Sequence, residues 1–107
     1  MKAFDEQLYD ELPINNLILF GIHLASNKSK GCTFEELTRK CFTLFPKAFA
    51  LSNNRKWPDT RKLDRPLRTL RKRKLIVGSP QSSFSLTKQG KKIALEVANL
   101  FAQKKLL

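Results

Sequence analysis

The sequence predicts an α+β fold that is mainly α-helical and carries one small β-hairpin. Its 107 residues suffice for one compact domain with a modest core. The composition, 41% hydrophobic and 28% charged, is typical of an ordinary folded domain and not of a disordered chain. Apolar residues recur at helical spacing along most of the sequence, and a short β-branched run interrupts that period once.

The first long helix is predicted over residues 13–26, after an acidic N-terminal arm. The arm, residues 1–12, carries four acidic side chains and is expected to be either a short helix or a loose segment. Pro13 lies in the first turn of the helix, where its missing N–H is harmless. The apolar positions of this helix lie mostly on one face: Ile14, Leu17, Ile18, Ile22 and Ala25. Residues 27–31 then end the helix.

A second helix is predicted to begin after Thr33, because Thr33 and Glu36 match the capping-box pattern of a hydroxyl followed three residues later by a carboxylate. Its apolar face continues to Pro46, which ends it, and consists of Phe34, Leu37, Cys41, Leu44 and Phe45. Residues 46–58 are predicted to be a loop containing one turn of helix.

The third helix, predicted from about residue 60 to residue 74, is strongly two-faced. One face consists of leucines, Leu63, Leu67 and Leu70. The opposite face carries a hydroxyl and cations, namely Arg61, Arg65, Thr69 and Lys72. Pro66 removes a hydrogen bond inside this helix. The helix therefore either starts later, with Asp64 as its N-cap, or starts early and bends; we favour the early start.

The remaining elements are a hairpin and a C-terminal helix. Residues 75–77 and 84–86 are predicted strands, joined by the polar tip 78–83. Thr87 is expected to cap a final helix over 88–104. The apolar stripe of that helix either packs on the first helix or supplies a homodimer interface, and it consists of Ile93, Ala94, Val97, Leu100 and Phe101.

Positive charge is concentrated in one segment. The chain has a formal net charge of +12, and residues 55–74 hold ten basic residues against Asp59 and Asp64, a net charge of +8. Ordinary surfaces intersperse both signs. Such a stripe is the electrostatic footprint of a protein that binds phosphate groups.

Two stretches of this sequence resemble winged helix-turn-helix domains. Residues 63–76 look like a recognition helix that runs into the first wing strand, and residues 84–94 look like the second strand and the LT-x-x-G helix start of small transcription regulators of the MarR and PadR kind. The resemblance implies a three-helix core, a two-stranded wing and a C-terminal helix within residues 13–107. The sequence departs from the pattern at residues 46–59, a longer connection than usual, and at Lys74, where glycine is usual.

The sequence therefore predicts that the chain binds double-stranded DNA through a recognition helix (about 60–74) and a wing (75–87), as a transcription regulator. Arg65 is the expected base contact because it is central on the outward face. Arg61, Thr69 and Lys72 lie beside it. The expected phosphate contacts and wing-tip contacts are Lys62, Arg68, Arg71, Arg55, Lys56, Gln81, Ser82 and Ser83. The alternatives are an RNA-binding module, or a protein-interaction module that docks an acidic partner. Trp57 is the one plausible stacking ring, although a loop or core anchor is the favoured interpretation.

Other functional classes are not expected. The sequence shows no paired carboxylates in an apolar setting, no nucleophile–histidine spacing and no phosphate-binding glycine loop, so we predict neither an enzyme nor a cofactor. Cys32, Cys41 and His23 are too few for a zinc site, and both cysteines are expected in the core. The longest apolar run, Leu17–Phe20, is far too short to span a membrane, and no signal peptide is recognisable. A cytoplasmic protein, associated with the nucleoid if bacterial, is expected.

Overall fold

A computed structural model of the chain describes residues 3–26 and 31–106. The described part is mostly helical and contains one two-stranded antiparallel sheet, as predicted. The first long helix ends at Ala25, one residue before its predicted end, and residues 27–30 of the segment predicted to end it lie outside the described residues. The elements in chain order are α1 Glu6–Tyr9, α2 Ile14–Ala25, α3 Phe34–Leu44, α4 Pro46–Phe49, α5 Arg61–Lys72, β1 Ile76–Gly78, β2 Phe84–Leu86 and α6 Lys88–Leu106.

Helix α2 is the centre of the core. It is apolar around most of its circumference, which is typical of a helix covered on several sides. It packs against α3, α5 and α6. The stripe of α6 thus packs on α2, with Ala94, Val97 and Phe101 buried, so the intramolecular alternative predicted for the stripe is confirmed. A homodimer through α6 stays a prediction, and it would have to use the exposed side of α6, where Leu95 is 43% exposed.

The acidic arm contributes aromatic rings to the same core. Of the two forms predicted for it, the structure shows the short helix, α1. The Phe4 ring stacks on Phe101 and Phe45 at centroid distances of 4.8 and 5.6 Å. Tyr9 is buried, and its hydroxyl accepts a hydrogen bond from the Lys47 N–H at 3.2 Å. The acidic side chains of the arm remain exposed while its rings are held in the core.

Helix α3 begins with the predicted capping box. The Thr33 hydroxyl accepts from the Glu36 N–H at 3.1 Å, and the Glu36 carboxylate accepts from the Thr33 N–H at 2.9 Å. The hydrogen bond from the Thr33 N–H to the carboxylate holds the pKa of Glu36 below its ordinary value. The helix ends at Leu44, directly before Phe45 and Pro46, so both predicted boundaries of this helix are confirmed.

Helix α5 starts at Arg61 and contains Pro66, which confirms the early start and shows that Asp64 is not the N-cap. The buried Asp59 carboxylate accepts from the Arg61 N–H at 3.0 Å, so it satisfies a main-chain donor of the first turn. Because this cap and the three buried leucines hold both halves of the helix, the hydrogen bond that Pro66 removes does not break it.

The end of α5 is a Schellman motif, in which a left-handed residue lets two N–H groups close onto the last turn. The Leu75 N–H donates to the Leu70 carbonyl and the Lys74 N–H donates to the Arg71 carbonyl, each at 3.0 Å. Lys74 occupies the left-handed position, with φ at 60°. The turn therefore forms although lysine stands where glycine is the usual residue.

The hairpin pairs Ile76 with Leu86 and Gly78 with Phe84. On its other side, Phe84 makes a single antiparallel bridge to Cys32, with N–H···O distances of 2.7 and 2.9 Å. The approach is so close that a Cβ on Gly31 would lie 2.1 Å from the Phe84 carbonyl oxygen. No pattern in the sequence predicted this bridge.

The start of α6 is joined to the end of α5 through Thr87. Its hydroxyl accepts from the Gly90 N–H at 3.1 Å, which confirms the predicted cap, and donates to the Lys74 carbonyl at 2.8 Å. The Thr87 N–H donates to the Leu75 carbonyl at 3.1 Å. A Cβ on Gly90 would lie 2.0 Å from that same carbonyl oxygen. This junction fixes the base of the hairpin.

Candidate functional site

The two faces of α5 are separated as the sequence predicts. Leu63, Leu67 and Leu70 are buried, and the helix packs with them against α2. The opposite side is open to solvent along its whole length. Its exposed polar residues are Arg61, Asp64, Arg65, Arg68, Thr69, Arg71 and Lys72. We call these residues, together with Arg73 at the helix end, the basic face.

Two arginines of the basic face are paired with carboxylates. The Arg61 guanidinium contacts both Asp59 oxygens, with Nε–Oδ1 at 3.1 Å and Nη2–Oδ2 at 3.3 Å. This pairing lowers the pKa of the Asp59 carboxyl and raises the pKa of Arg61. Arg68 contacts Asp64 one turn earlier at 3.0 Å. The Arg68–Asp64 pair is exposed on both sides and contributes little to stability, so a stronger anion can compete for Arg68. In the other pair Asp59 is buried and holds the exposed Arg61 guanidinium in one orientation.

The other cations of the basic face have no such partner. Within residues 3–26 and 31–106, the side chains of Arg65, Arg71, Lys72 and Arg73 make neither an ion pair nor a hydrogen bond. Arg68, Arg71 and Lys72 border an open recess of about 480 Å³. Arg73 was not among the predicted contacts, although its place in the +8 segment was a signal for it. Unpaired cations on a rigid helix form a ready site for anions.

Lys62 is less exposed than the other predicted phosphate contacts of α5, Arg68 and Arg71. Its side chain is half-buried, and its Nζ donates to the Ala50 carbonyl at 2.8 Å. The contact ties α5 to the loop that precedes it. No local sequence pattern marks a contact between a side chain and a main-chain group twelve residues away. Lys62 was therefore predicted to be one of the phosphate contacts.

The loop before α5, residues 50–58, brings further cations to the same end of the helix. An antiparallel bridge between Ala50 and Pro58 closes it. Arg55 and Lys56 are exposed, as expected for phosphate contacts. The favoured interpretation of Trp57 was a loop or core anchor, but the residue is 61% exposed. The main chain of Trp57 makes the anchoring contact instead, since its carbonyl accepts from the Leu51 N–H at 2.9 Å.

The hairpin tip is polar and uncharged. Gln81 and Ser82 are exposed, whereas Ser83 is half-buried. The hydroxyls of Ser79 and Ser82 lie 3.1 Å apart and are hydrogen-bonded across the turn. The tip therefore offers hydrogen bonds but no charge. The charged part of the candidate site is α5 with the loop 50–58.

Among the described residues, neither a cluster of metal ligands nor an exposed cysteine is found. No group of three His, Cys, Asp or Glu residues that could hold a metal ion occurs among the described residues. Cys32 and Cys41 are buried free cysteines, and burial raises the pKa of the Cys32 thiol to about 11. A thiol with a raised pKa is a poor nucleophile. Both cysteines are thus core residues, as predicted.

None of the helices in the described part of the chain is long and apolar enough to cross a membrane. Comparisons of the chain with protein-family models, with curated proteins and with solved structures found no match. The basic face of α5 and the loop 50–58 are therefore the features that indicate a function.

Proposed function

We propose that the chain is a winged-helix domain that binds double-stranded DNA and acts as a transcription regulator. The observation that carries this proposal is the basic face of α5. There Arg65, Arg71 and Lys72 form no ion pair with any carboxylate of the described residues. The element order, with the basic helix followed directly by a hairpin and a last helix, supports the same assignment. A helix of this kind fits the major groove of B-DNA.

The contacts divide by position on the helix. Arg65 and Thr69 are exposed at its middle, where a helix lying in the major groove faces base edges, and Arg65 is the residue we assign to a guanine. Arg68 and Arg71 lie to the side of that line and suit the phosphate backbone. Arg61, held by Asp59, reaches the DNA as an oriented guanidinium. Gln81 and Ser82 at the hairpin tip add uncharged contacts.

The salt dependence of binding tests the proposal. We expect the full chain to neutralise roughly 5–8 phosphates, which gives a slope of log affinity against log salt of roughly −4 to −7 on a random duplex. Lys47→Ala is the matched control. Lys47 borders a groove together with Glu6 and Asp10, and these carboxylates repel the phosphates of DNA. The substitution removes one charge and should leave the slope unchanged, whereas Arg71→Ala should reduce its magnitude by about 0.9.

A slope near zero on duplex DNA would contradict the proposal and favour an acidic protein partner for the basic face. The same titration with duplex and single-stranded RNA tests the RNA-binding alternative. Selection from a random duplex library then separates the roles within the helix. Arg65→Ala should relax the preference at one base pair and cost about 1–3 kcal/mol on the selected site, whereas Arg68→Ala should weaken all sequences alike.

A further inference from the structure

Trp57 is the single tryptophan of the chain, and this residue is 61% exposed. Tryptophan is among the largest apolar side chains, and a partner that covers its ring removes much apolar surface from water. No aromatic ring lies against Trp57 within residues 3–26 and 31–106. The fold therefore leaves this ring uncovered while it buries Phe45 and Phe49 nearby in the sequence.

The main chain around Trp57 is held in place by hydrogen bonds. The Trp57 N–H donates to the Asn54 carbonyl at 3.1 Å, and the Lys56 N–H donates to the Asn54 side-chain oxygen at 3.1 Å. At the base of the loop, the Asp59 N–H donates to the Phe49 carbonyl at 2.7 Å. The ring is thus displayed from a preformed loop, and a partner pays little ordering entropy to engage it.

The charge around Trp57 indicates the chemistry of that partner. Arg55 and Lys56 precede it, both are exposed, and neither makes an ion pair among the described residues. The nearest carboxylate in the sequence, that of Asp59, is occupied by Arg61. Lys62 ties this loop to the first turn of α5. An exposed ring beside unpaired cations suits a polyanion that also has an apolar surface.

We propose that the loop 50–58 is a second DNA-binding element, in which Trp57 packs against the deoxyribose face of the duplex backbone while Arg55 and Lys56 contact the flanking phosphates. This inference rests on the proposed function, because the duplex is the one that the basic face of α5 engages. The sugar is the apolar surface of an intact duplex backbone. Trp57 thereby supplies affinity that does not depend on salt, whereas Arg55 supplies affinity that does.

The fluorescence of Trp57 tests the contact directly, since no other tryptophan contributes. With the full chain and a mixed-sequence DNA duplex, we expect an emission shift and protection of Trp57 from acrylamide quenching. Trp57→Ala should lower duplex affinity about tenfold with the salt slope unchanged, because apolar ring surface is no longer buried, and Trp57→Phe should restore most of the loss. Arg55→Ala should instead reduce the magnitude of the slope by about 0.9.

Thermal unfolding of Trp57→Ala separates binding from folding. Because the ring is exposed, the variant should melt with the parent protein. If the duplex binds with the expected slope but leaves the emission and quenching of Trp57 unchanged, the loop inference is overturned and the proposed function stands. A response of Trp57 to single strands alone also overturns it. Absence of duplex binding at every salt concentration overturns both.

Discussion

Replacing Lys74 with glycine should stabilise the protein. Lys74 has φ at 60° and closes the Schellman motif at the end of α5. A side chain in the left-handed region costs roughly 1–2 kcal/mol, because its Cβ approaches the neighbouring carbonyl oxygen. Glycine avoids that cost but loses roughly 0.5–1 kcal/mol of backbone entropy on folding. The net gain is therefore about 0.5–1 kcal/mol in the free energy of unfolding, or roughly 2–8 °C in Tm.

The controls separate backbone strain from charge. Lys74→Ala removes the same positive charge but keeps a Cβ, so it should gain none of the stability that depends on φ. Arg73→Gly places glycine one residue earlier, where φ is −81°, and should destabilise the protein. Thermal and urea unfolding followed by circular dichroism measure all three variants. If Lys74→Gly were no more stable than Lys74→Ala, the left-handed position would not carry the strain assigned to it.

Three further predictions concern the core, the start of α5 and the surface of α6. Phe4→Ala should lower the free energy of unfolding, measured with urea, by about 2–3 kcal/mol, because the half-buried Phe4 ring stacks on Phe101. The control Glu6→Gln, in the exposed part of the same arm, should change it little. The pKa of the Asp59 carboxyl is lowered in the folded protein, so the stabilisation by Asp59 is present above its ordinary pKa of 3.8 and is lost as pH falls through the folded-state pKa. In acid unfolding, the difference in stability between the parent protein and Asp59→Asn should therefore disappear below pH 3.8. A difference in stability that is independent of pH would contradict this. If α6 carries a homodimer interface, Leu95→Lys should convert the dimer to a monomer in light scattering, and a monomeric parent at high concentration would exclude that interface.

Much of the fold could be predicted from the sequence because its signals are local. The capping box at Thr33, the leucine face of α5 and the cap at Thr87 each depend on residues within a few positions of one another. The bridge between Cys32 and Phe84 joins distant segments through main-chain atoms, which no side-chain pattern marks. The need for glycine at position 31 follows only from that bridge, because a Cβ there would collide with the Phe84 carbonyl oxygen.

The charge of the candidate site was predictable, and so was the pairing of Asp59 and Asp64 with neighbours on the helix, but not which arginine each of them contacts. The +8 segment identifies the surface, and the helical period separates Arg65 from the leucines. Which arginines find a carboxylate depends on side-chain rotamers, and Arg61 finds Asp59 because that residue also caps the helix. The favoured role of Trp57, a core or loop anchor, was assigned to its side chain because large rings are usually buried. The structure leaves Trp57 61% exposed and makes the anchoring hydrogen bonds with its main chain, which no sequence pattern marks.

Because of the junction at Thr87, the length of the hairpin can change without a change in the arrangement of the helices. Its bonds to Lys74 and Leu75 fasten the two ends of the hairpin to each other at the base, where α5 ends and α6 begins. Residues added or removed between Ser79 and Ser82 therefore change the reach of the tip without moving either helix. A longer or shorter tip would thus contact a different part of a bound partner, while the basic face keeps its place on α2.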